Sequence, residues 1–182
     1  MKKVKFRPVL LLIMLAVFSI SFYACKDDED DDNTDNVTQQ DRNFARDAAD
    51  GNLAEIEFGR VAIQRATNDS VIAFAQDMIT DHTAAQRMLD SISNVLNVTL
   101  PDSMNVTHRR LLDSLSTMNG VQFDSVYIHN QVLDHQATRT LLQSQISNGN
   151  NRRLVDYASK NLPIVNGHLQ RVQNLQDSLR NN

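Results

Sequence analysis

The 182-residue sequence contains few glycines, few prolines and one cysteine, and it has no tryptophan. Five glycines and three prolines disfavour an all-β domain, which needs a turn every ten residues or so. The same scarcity excludes collagen-like and low-complexity classes. The single cysteine excludes a disulfide framework and a cysteine-based zinc site.

Charge is distributed unevenly along the chain. Residues 1–25 hold four basic groups and no acidic group. Residues 26–182 therefore hold 18 − 4 = 14 basic and 22 acidic groups, a net charge of 14 − 22 = −8. Because affinity for nucleic acid depends on Lys and Arg that neutralise phosphates, this excess of negative charge argues against a nucleic-acid partner.

The N-terminus has the pattern of a lipoprotein signal peptide. Basic residues precede an apolar run over residues 9–22, which is too short for a membrane span of about 20 residues. The run ends in Phe22, Tyr23, Ala24 and Cys25, which resembles a bacterial lipobox with an unusually large Tyr23. We expect residues 1–24 to be removed and Cys25 to carry acyl chains that hold it in the membrane. An ordinary signal peptide with an incidental cysteine is the alternative.

An acidic segment follows Cys25. Seven acidic residues lie between positions 27 and 35, so residues 25–37 are predicted to form a solvated, disordered tether. A Cys-Lys-acid-acid start resembles the export tag of surface lipoproteins in the Bacteroidetes group; a plain spacer is the alternative. The expected location is the outer membrane, held through lipid on Cys25, with the domain at the cell surface or otherwise facing the periplasm. No protein partner is indicated.

Residues 38–182 have helical periodicity throughout. The expected helices cover about residues 41–67, 70–97, 106–117, 120–147 and 152–179. Since two short linkers flank one long crossover that carries the short third helix, the pattern predicts an all-α, ferritin-like four-helix bundle made of two hairpins. Gly51 and Asn52 predict a weak point or kink in the first helix, and Pro163 a kink or break in the last. Asn119 is an expected N-cap with an imperfect capping box.

Three histidines lie on apolar seams near the middle of three different helices: His82, His135 and His168. In the second helix His82 continues a strict row spaced by three and four residues, which is typical of a bundle seam. A buried imidazole needs a partner for at least one nitrogen, and histidine is the commonest metal ligand among side chains. Their convergence would make either a metal site or a hydrogen-bonded layer of the core.

The sequence argues against a standard di-iron centre. Such a centre needs Glu-x-x-His on two helices, whereas an aliphatic residue stands three positions before each seam histidine. One divalent ion, Zn²⁺ or Cu²⁺, is the predicted cofactor if any is bound. The predicted ligands are His82, His135, His168 and Glu57.

Three aspartates are predicted to support the imidazoles. Asp81 and Asp134 each precede a seam histidine, and adjacent helical residues point about 100° apart. Each can therefore face a neighbouring helix and accept an N–H from an imidazole there, which fixes the tautomer. Asp124 either complements a helix dipole or pairs with a buried histidine. Without a metal, these aspartates and Tyr127 would satisfy the imidazoles in a purely structural network.

Catalytic motifs are not evident in the sequence. It has no Gly-rich phosphate loop, no nucleophile elbow and no cysteine within the predicted domain. The functional hypotheses are therefore a metal-binding module, a non-catalytic structural or interaction module, and, third, an oxidoreductase that uses the bound metal. The residues do not indicate a function more specific than these three classes.

Several segments together are similar to a known family. They are residues 53–62 (LAEIEFGRVA), 74–82 (FAQDMITDH), 123–127 (FDSVY), 132–135 (VLDH) and 162–163 (LP), followed by His168. The set resembles a bacterial envelope family of unknown function whose members are often labelled predicted outer membrane proteins. The resemblance implies a ferritin-like fold in an exported protein, without a settled activity. The recurring polar residues of that family fall on Glu57, Asp81, His82, Asp124, Asp134, His135 and His168, whereas Asn52 replaces a typical glycine.

Overall fold

A computed structural model describes residues 36–181, and all regular secondary structure within that range is helical. The helices are α1 (Gln39–Arg65), α2 (Asp69–Leu96), α3 (Val106–Ser116), α4 (Gly120–Asn148) and α5 (Arg152–Arg180). The prediction of an all-α fold is confirmed, and the expected helix ends are correct to within two residues. The predicted signal peptide, Cys25 and nearly all of the predicted tether lie outside the described residues.

The four long helices form a bundle of two hairpins. Helix α1 packs along α2 and α4 packs along α5, while α1 also contacts α4 and α2 contacts α5. The short α3 lies in the crossover against α1 and α4. One crossover between two hairpins is the ferritin-like arrangement. Over residues 36–181, none of the helices combines the length and the apolar character required to traverse a bilayer.

Side-chain caps fix where most of the helices begin. Thr38 and Asp41 form a capping box at the start of α1, in which each side chain bonds the backbone N–H of the other residue. The side-chain oxygens of three asparagines accept first-turn N–H groups of α2, α3 and α5: Asn68, Asn105 and Asn151. These caps satisfy backbone donors that a helix leaves without an internal partner.

The structure confirms Asn119 as the N-cap of α4 and differs from the sequence analysis in two details. Asn119 is the N-cap of α4, but its side chain makes no capping bond, because Oδ1 accepts from Arg65 Nη1 at 2.9 Å. Helix α5 continues through Pro163 without a break. Proline cannot donate to the carbonyl four residues earlier, and that carbonyl belongs to Ser159. Since Pro163 and Ser159 are both exposed, water can reach the carbonyl.

Asp41 fastens the start of α1 to the turn between α4 and α5. Its carboxylate is fully buried and accepts hydrogen bonds from Gln145 Nε2 at 2.7 Å and from the backbone N–H groups of Asn150 and Asn151 at 3.1 and 3.2 Å. Burial opposes ionisation, but these bonds and those from Thr38 outweigh it and lower the pKa of Asp41. A charged clamp therefore joins the two hairpins at this end of the bundle.

Asp124 makes the corresponding clamp from α4 to the turn between α1 and α2. It accepts from the backbone N–H groups of Thr67 and Asn68 at 3.2 and 3.0 Å and from the Thr67 hydroxyl at 2.9 Å. The residues of the two clamps correspond to one another at a constant difference in residue number, because 124 − 41, 150 − 67 and 151 − 68 all equal 83. We call residues 83 apart in the two hairpins equivalent positions.

Aromatic contacts obey the same relation. The rings of Phe44 and Tyr157 lie 6.0 Å apart and those of Phe74 and Tyr127 lie 6.5 Å apart, and both pairs meet edge to face. Tyr127 is equivalent to Phe44 (127 − 44 = 83) and Tyr157 to Phe74 (157 − 74 = 83). One contact thus maps onto the other when the hairpins are exchanged, so the bundle has an internal two-fold relation.

The apolar core consists of two clusters with the three seam histidines between them. Along α2, His82 lies between Met78 of one cluster and Ala85 of the other. Along α5, His168 lies between Val165 and Leu169, which again belong to different clusters. The imidazoles therefore occupy a polar layer at mid-height of the bundle, flanked by hydrocarbon on both sides.

Candidate metal centre

His82, His135 and His168 converge from α2, α4 and α5 in the core of the bundle. Their residues are only 6%, 1% and 8% exposed. The ring centroids are 5.8 Å apart for His82–His135 and His82–His168 and 5.4 Å apart for His135–His168. One ring nitrogen from each lies within 4.8 Å of one from each of the others, so together they are able to hold a metal ion. The expected meeting of three imidazoles is found.

Asn52 of α1 fixes the tautomer of His82. Its Oδ1 lies 3.0 Å from His82 Nδ1, and its Nδ2 donates to the Tyr157 hydroxyl at 3.0 Å and to Gln86 Oε1 at 3.3 Å. Because those two bonds orient the amide, its oxygen faces the imidazole. His82 therefore donates from Nδ1 and carries a lone pair on Nε2.

The other two imidazoles also donate to protein acceptors. His135 Nδ1 donates to the backbone carbonyl of Gln131 at 2.9 Å, and His168 Nε2 donates to Asp81 Oδ2 at 2.9 Å. Neither acceptor has a proton to give, so the lone pairs lie on Nε2 of His135 and Nδ1 of His168. The expectation that Asp81 would receive an imidazole N–H from another helix matches this geometry.

The three lone-pair nitrogens have no hydrogen-bond partner. Among residues 36–181, no group satisfies His82 Nε2, His135 Nε2 or His168 Nδ1, and all three atoms are buried. An unsatisfied buried polar atom costs about 1–3 kcal/mol, and native structures contain few of them. Three such acceptors in one layer are the arrangement that a bound cation would satisfy.

Electrostatics keeps the imidazoles neutral at neutral pH. Burial lowers the pKa of all three histidines. The pKa of His135 is lowered to about 4, although the hydrogen bond to the Gln131 carbonyl acts in the opposite direction. The pKa of His82 is lowered further by the charges that His135 and His168 would carry, while the bond to Asp81 counteracts the lowering at His168. Neutral imidazole is the form that binds metals.

The carboxylate beside the histidines is Glu55, and Glu57 lies elsewhere. Glu55 is 4% exposed, accepts from Gln131 Nε2 at 2.6 Å and lies 3.8 Å from His135 Nδ1. Burial raises its pKa to about 7, partly offset by the bond from Gln131. Glu57 is half-exposed and pairs with Arg60 on the same helix. The expectation that Glu57 would join the three histidines does not match this geometry.

Asp134 and Asp124 do not bond an imidazole either. Asp134 Oδ2 is buried without a partner among the described residues. Burial and Glu55 raise the pKa of Asp134 to about 7, against a lowering effect of His108. Asp124 is the clamp on the α1–α2 turn described above, so the expectation that it would pair with a buried histidine is wrong. Its position near the start of α4 brings it to the inter-helix turn at the end of the bundle, away from the histidine layer.

Three residues that support the site were missed in the sequence: Asn52, Glu55 and Gln131. A usable signal was present. Glu55 lies seven residues after Ala48 and seven before Ala62 on the apolar stripe of α1, whereas Glu57 lies two positions off that stripe. Gln131 is four residues before His135 and shares its face. The use of a main-chain carbonyl by His135 had no signal in the sequence.

The fold has a counterpart among solved structures. The crystal structure of a DUF305 fragment from Deinococcus radiodurans is similar to the chain, with a TM-score of 0.69 and 12% sequence identity. The similarity covers 78% of this chain and 98% of that one. At this identity it establishes the helical fold alone. No curated protein matches the chain.

The family is established by the sequence itself. Residues 27–175 match the family described as "Domain of unknown function (DUF4142)". The match includes α1 to α4, most of α5 and all three seam histidines. The chain therefore belongs to the DUF4142 family.

Proposed function

We propose that this domain binds one metal ion, Zn²⁺ or Cu²⁺, through His82, His135 and His168. The observation that supports the proposal is the set of three buried nitrogens that have lone pairs and no hydrogen-bond partner among residues 36–181. Neutral imidazole suits both ions, and three histidines with one further position form a common zinc site. A di-iron pair would require several carboxylate ligands, which this layer does not offer.

Groups behind the imidazoles support the same proposal. Asp81 bonds the far nitrogen of His168, and Glu55 lies behind His135. A carboxylate that is hydrogen-bonded to an imidazole, as Asp81 is, orients the ligand and increases its basicity. Glu55 lies 3.8 Å from His135 Nδ1 without a hydrogen bond, so it would act on a bound cation through charge alone, and the cation would favour the ionised form of Glu55. Asn52 orients the ring of His82, and the Gln131 carbonyl orients the ring of His135.

A structural role for the polar layer is the second candidate. The bonds from His168 to Asp81 and from His82 to Asn52 each join two helices, and such bonds help to define the register of a bundle. In that case the domain would serve as a non-catalytic structural or interaction module. The two candidates differ in whether the free nitrogens take up an ion.

Metal content separates them. The full chain, purified in detergent without a polyhistidine tag, is exposed to excess Zn²⁺ or Cu²⁺, desalted and analysed for bound ion. We expect one ion per chain, and at least 100-fold weaker binding in His135→Gln, because loss of a group that only orients a ligand already costs about 10–100-fold. His129→Gln removes an exposed histidine of the same helix and is the matched control. Absence of bound metal, or unchanged binding in His135→Gln, would refute the proposal.

We also propose that the chain is a lipoprotein of the outer membrane, displayed at the cell surface and held by lipid on Cys25. The support is the sequence pattern over residues 1–37, where a signal peptide, a lipobox-like site and an acidic tether follow one another. Labelled palmitate supplied to the cells should be incorporated into the wild-type protein and not into Cys25→Ser, which lacks the lipid-accepting thiol. Wild-type protein without label would contradict lipid anchoring.

A further inference from the structure

A small cavity adjoins the histidine layer. Its volume is about 30 Å³, and its wall includes both His82 and His168. Asn52, Ala85, Tyr157 and Val165 contribute further parts of the wall. A space of this size is sufficient for a water molecule or a small ion.

The cavity lies where the two-fold relation would place a second set of three histidines. The positions equivalent to His82, His135 and His168 follow from 82 + 83 = 165, 135 − 83 = 52 and 168 − 83 = 85. These positions hold Val165, Asn52 and Ala85, and all three line the cavity. Shorter side chains than histidine therefore leave open space opposite the imidazoles, within the same layer.

The cavity also offers polar contacts to an occupant. The Tyr157 hydroxyl accepts from Asn52 Nδ2, so its own hydrogen is free to donate. Burial raises the pKa of Tyr157 to about 12, and the hydroxyl keeps this hydrogen at neutral pH. The rest of the wall is mixed: Ala85 and Val165 are apolar, whereas Asp47 and Asp81 contribute carboxyl groups and Thr138 and Asn161 contribute neutral polar groups. A water molecule or a small anion would accept the hydrogen of Tyr157 there, and a bound cation would offset the charge of the two carboxylates.

From this juxtaposition we infer that the cavity holds an exchangeable fourth ligand of the bound ion, of the class of water, hydroxide or a small linear anion. The inference rests on the proposed metal site. Three protein ligands leave one position of a tetrahedral ion open. The cavity would provide access to that position for a ligand of a few atoms.

Azide is a suitable probe, because its binding to Cu²⁺ produces a charge-transfer absorption band. The full chain is loaded with Cu²⁺, its copper content is measured, and azide is then titrated. Ala85→Leu fills the cavity from α2. Gly51→Leu fills it from α1, where an added Cβ would meet no atom within 4 Å. Gly167→Leu is the matched control, since its Cβ space is equally open and it does not line the cavity.

We expect azide to bind wild type and Gly167→Leu with equal affinity, and Ala85→Leu and Gly51→Leu at least tenfold more weakly, with one copper per chain in all four. Full copper content without any azide band in wild type would overturn the cavity inference alone. Equal azide affinity in the filled variants that retain copper would also overturn it. Absence of copper from wild type would overturn the metal site and the inference together, and the metal analysis reports this outcome before azide is added.

Discussion

The two hairpins of the bundle share their framework and differ in their chemistry. At equivalent positions both use an aspartate clamp, Asp41 or Asp124, that binds the turn of the other hairpin. Both also place an aromatic ring against the partner hairpin. In the central layer the two hairpins differ, because the positions equivalent to the three histidines hold other residues. The framework is thus repeated, whereas the candidate metal centre is made once.

This difference separates residues that hold the fold from residues that serve the site. Groups that obey the two-fold relation lie at the helix ends and in the apolar clusters, where both hairpins have the same physical task. In the polar layer at mid-height, the positions equivalent to the three histidines hold other residues, and His135 is equivalent to Asn52. Asn52 nevertheless contributes by orienting His82. The candidate metal centre therefore lies in a layer where the two hairpins differ.

The largest expected effect concerns the clamps. Asp41→Ala leaves buried donors on Gln145 and Asn151 without an acceptor, so it should lower the free energy of unfolding by about 3 kcal/mol or more. The donors of Thr67 and Asn68 are only partly buried, so Asp124→Ala should lower it by about 1–3 kcal/mol. Urea denaturation of the metal-free protein measures both. Because Asp41 also accepts from Gln145 and Thr38, its loss should be the larger of the two, while both losses should be measurable. A large loss for one and none for the other would break the equivalence of the hairpins.

The second prediction concerns pH. Burial lowers the pKa of the seam histidines from 6.5, so the unfolded chain binds protons there that the folded chain does not, and acidification below pH 6.5 destabilises the fold. Glu55 and Asp134 have the opposite sign. Their pKa values are raised to about 7, so their stabilising contribution is present at acid pH and lost as pH rises from about 4 to 7. The two groups partly cancel in the wild type.

Removal of one carboxyl should expose the effect of the histidines. Between pH 7 and 4.5, metal-free Glu55→Gln should lose roughly 2 kcal/mol more stability than wild type, since one pKa unit corresponds to about 1.4 kcal/mol. Denaturation at a series of pH values in the presence of a chelator measures the slope. His129→Gln, at an exposed position, should keep the wild-type slope. A slope in Glu55→Gln equal to or shallower than that of wild type would show that Glu55 is not raised by burial.

The smallest effect is expected at Glu57. Its half-exposed ion pair with Arg60 is of a kind that contributes about 0–1 kcal/mol. Glu57→Gln should therefore change the free energy of unfolding by less than about 0.5 kcal/mol and leave metal affinity unchanged, as determined by denaturation and metal titration. A tenfold loss of metal affinity would bring Glu57 back as a ligand and contradict the assignment of the neighbouring carboxylate to Glu55.

Periodicity and caps were sufficient to predict the helices and their pairing. Short and long linkers distinguish hairpins from a crossover, and a histidine in a row of apolar residues must be buried if the row is. The meeting of three imidazoles follows because each lies near the middle of a helix that spans the same bundle. These inferences depend only on helical geometry, which holds along the whole domain.

The contacts of individual polar side chains were harder to predict. Glu55 and Glu57 differ by two positions, and only strict use of the α1 stripe separates a buried carboxylate from a surface one. Asp124 was assigned from its place in α4 alone, whereas its true partners belong to the α1–α2 turn. Such contacts depend on how far helices from different hairpins are shifted along one another. The periodicity of a single helix does not determine that shift.

The central claim is that the three buried lone-pair nitrogens of His82, His135 and His168 bind one metal ion. Nitrogen NMR of the histidine side chains tests this most directly, because protonated and lone-pair ring nitrogens have well-separated shifts. In the metal-free protein at pH 7 we predict hydrogens on Nδ1 of His82, Nδ1 of His135 and Nε2 of His168. One equivalent of Zn²⁺ should then shift the other nitrogen of all three rings together. Hydrogens on the nitrogens assigned lone pairs, or chemical shifts that do not change when zinc is added, would contradict the account.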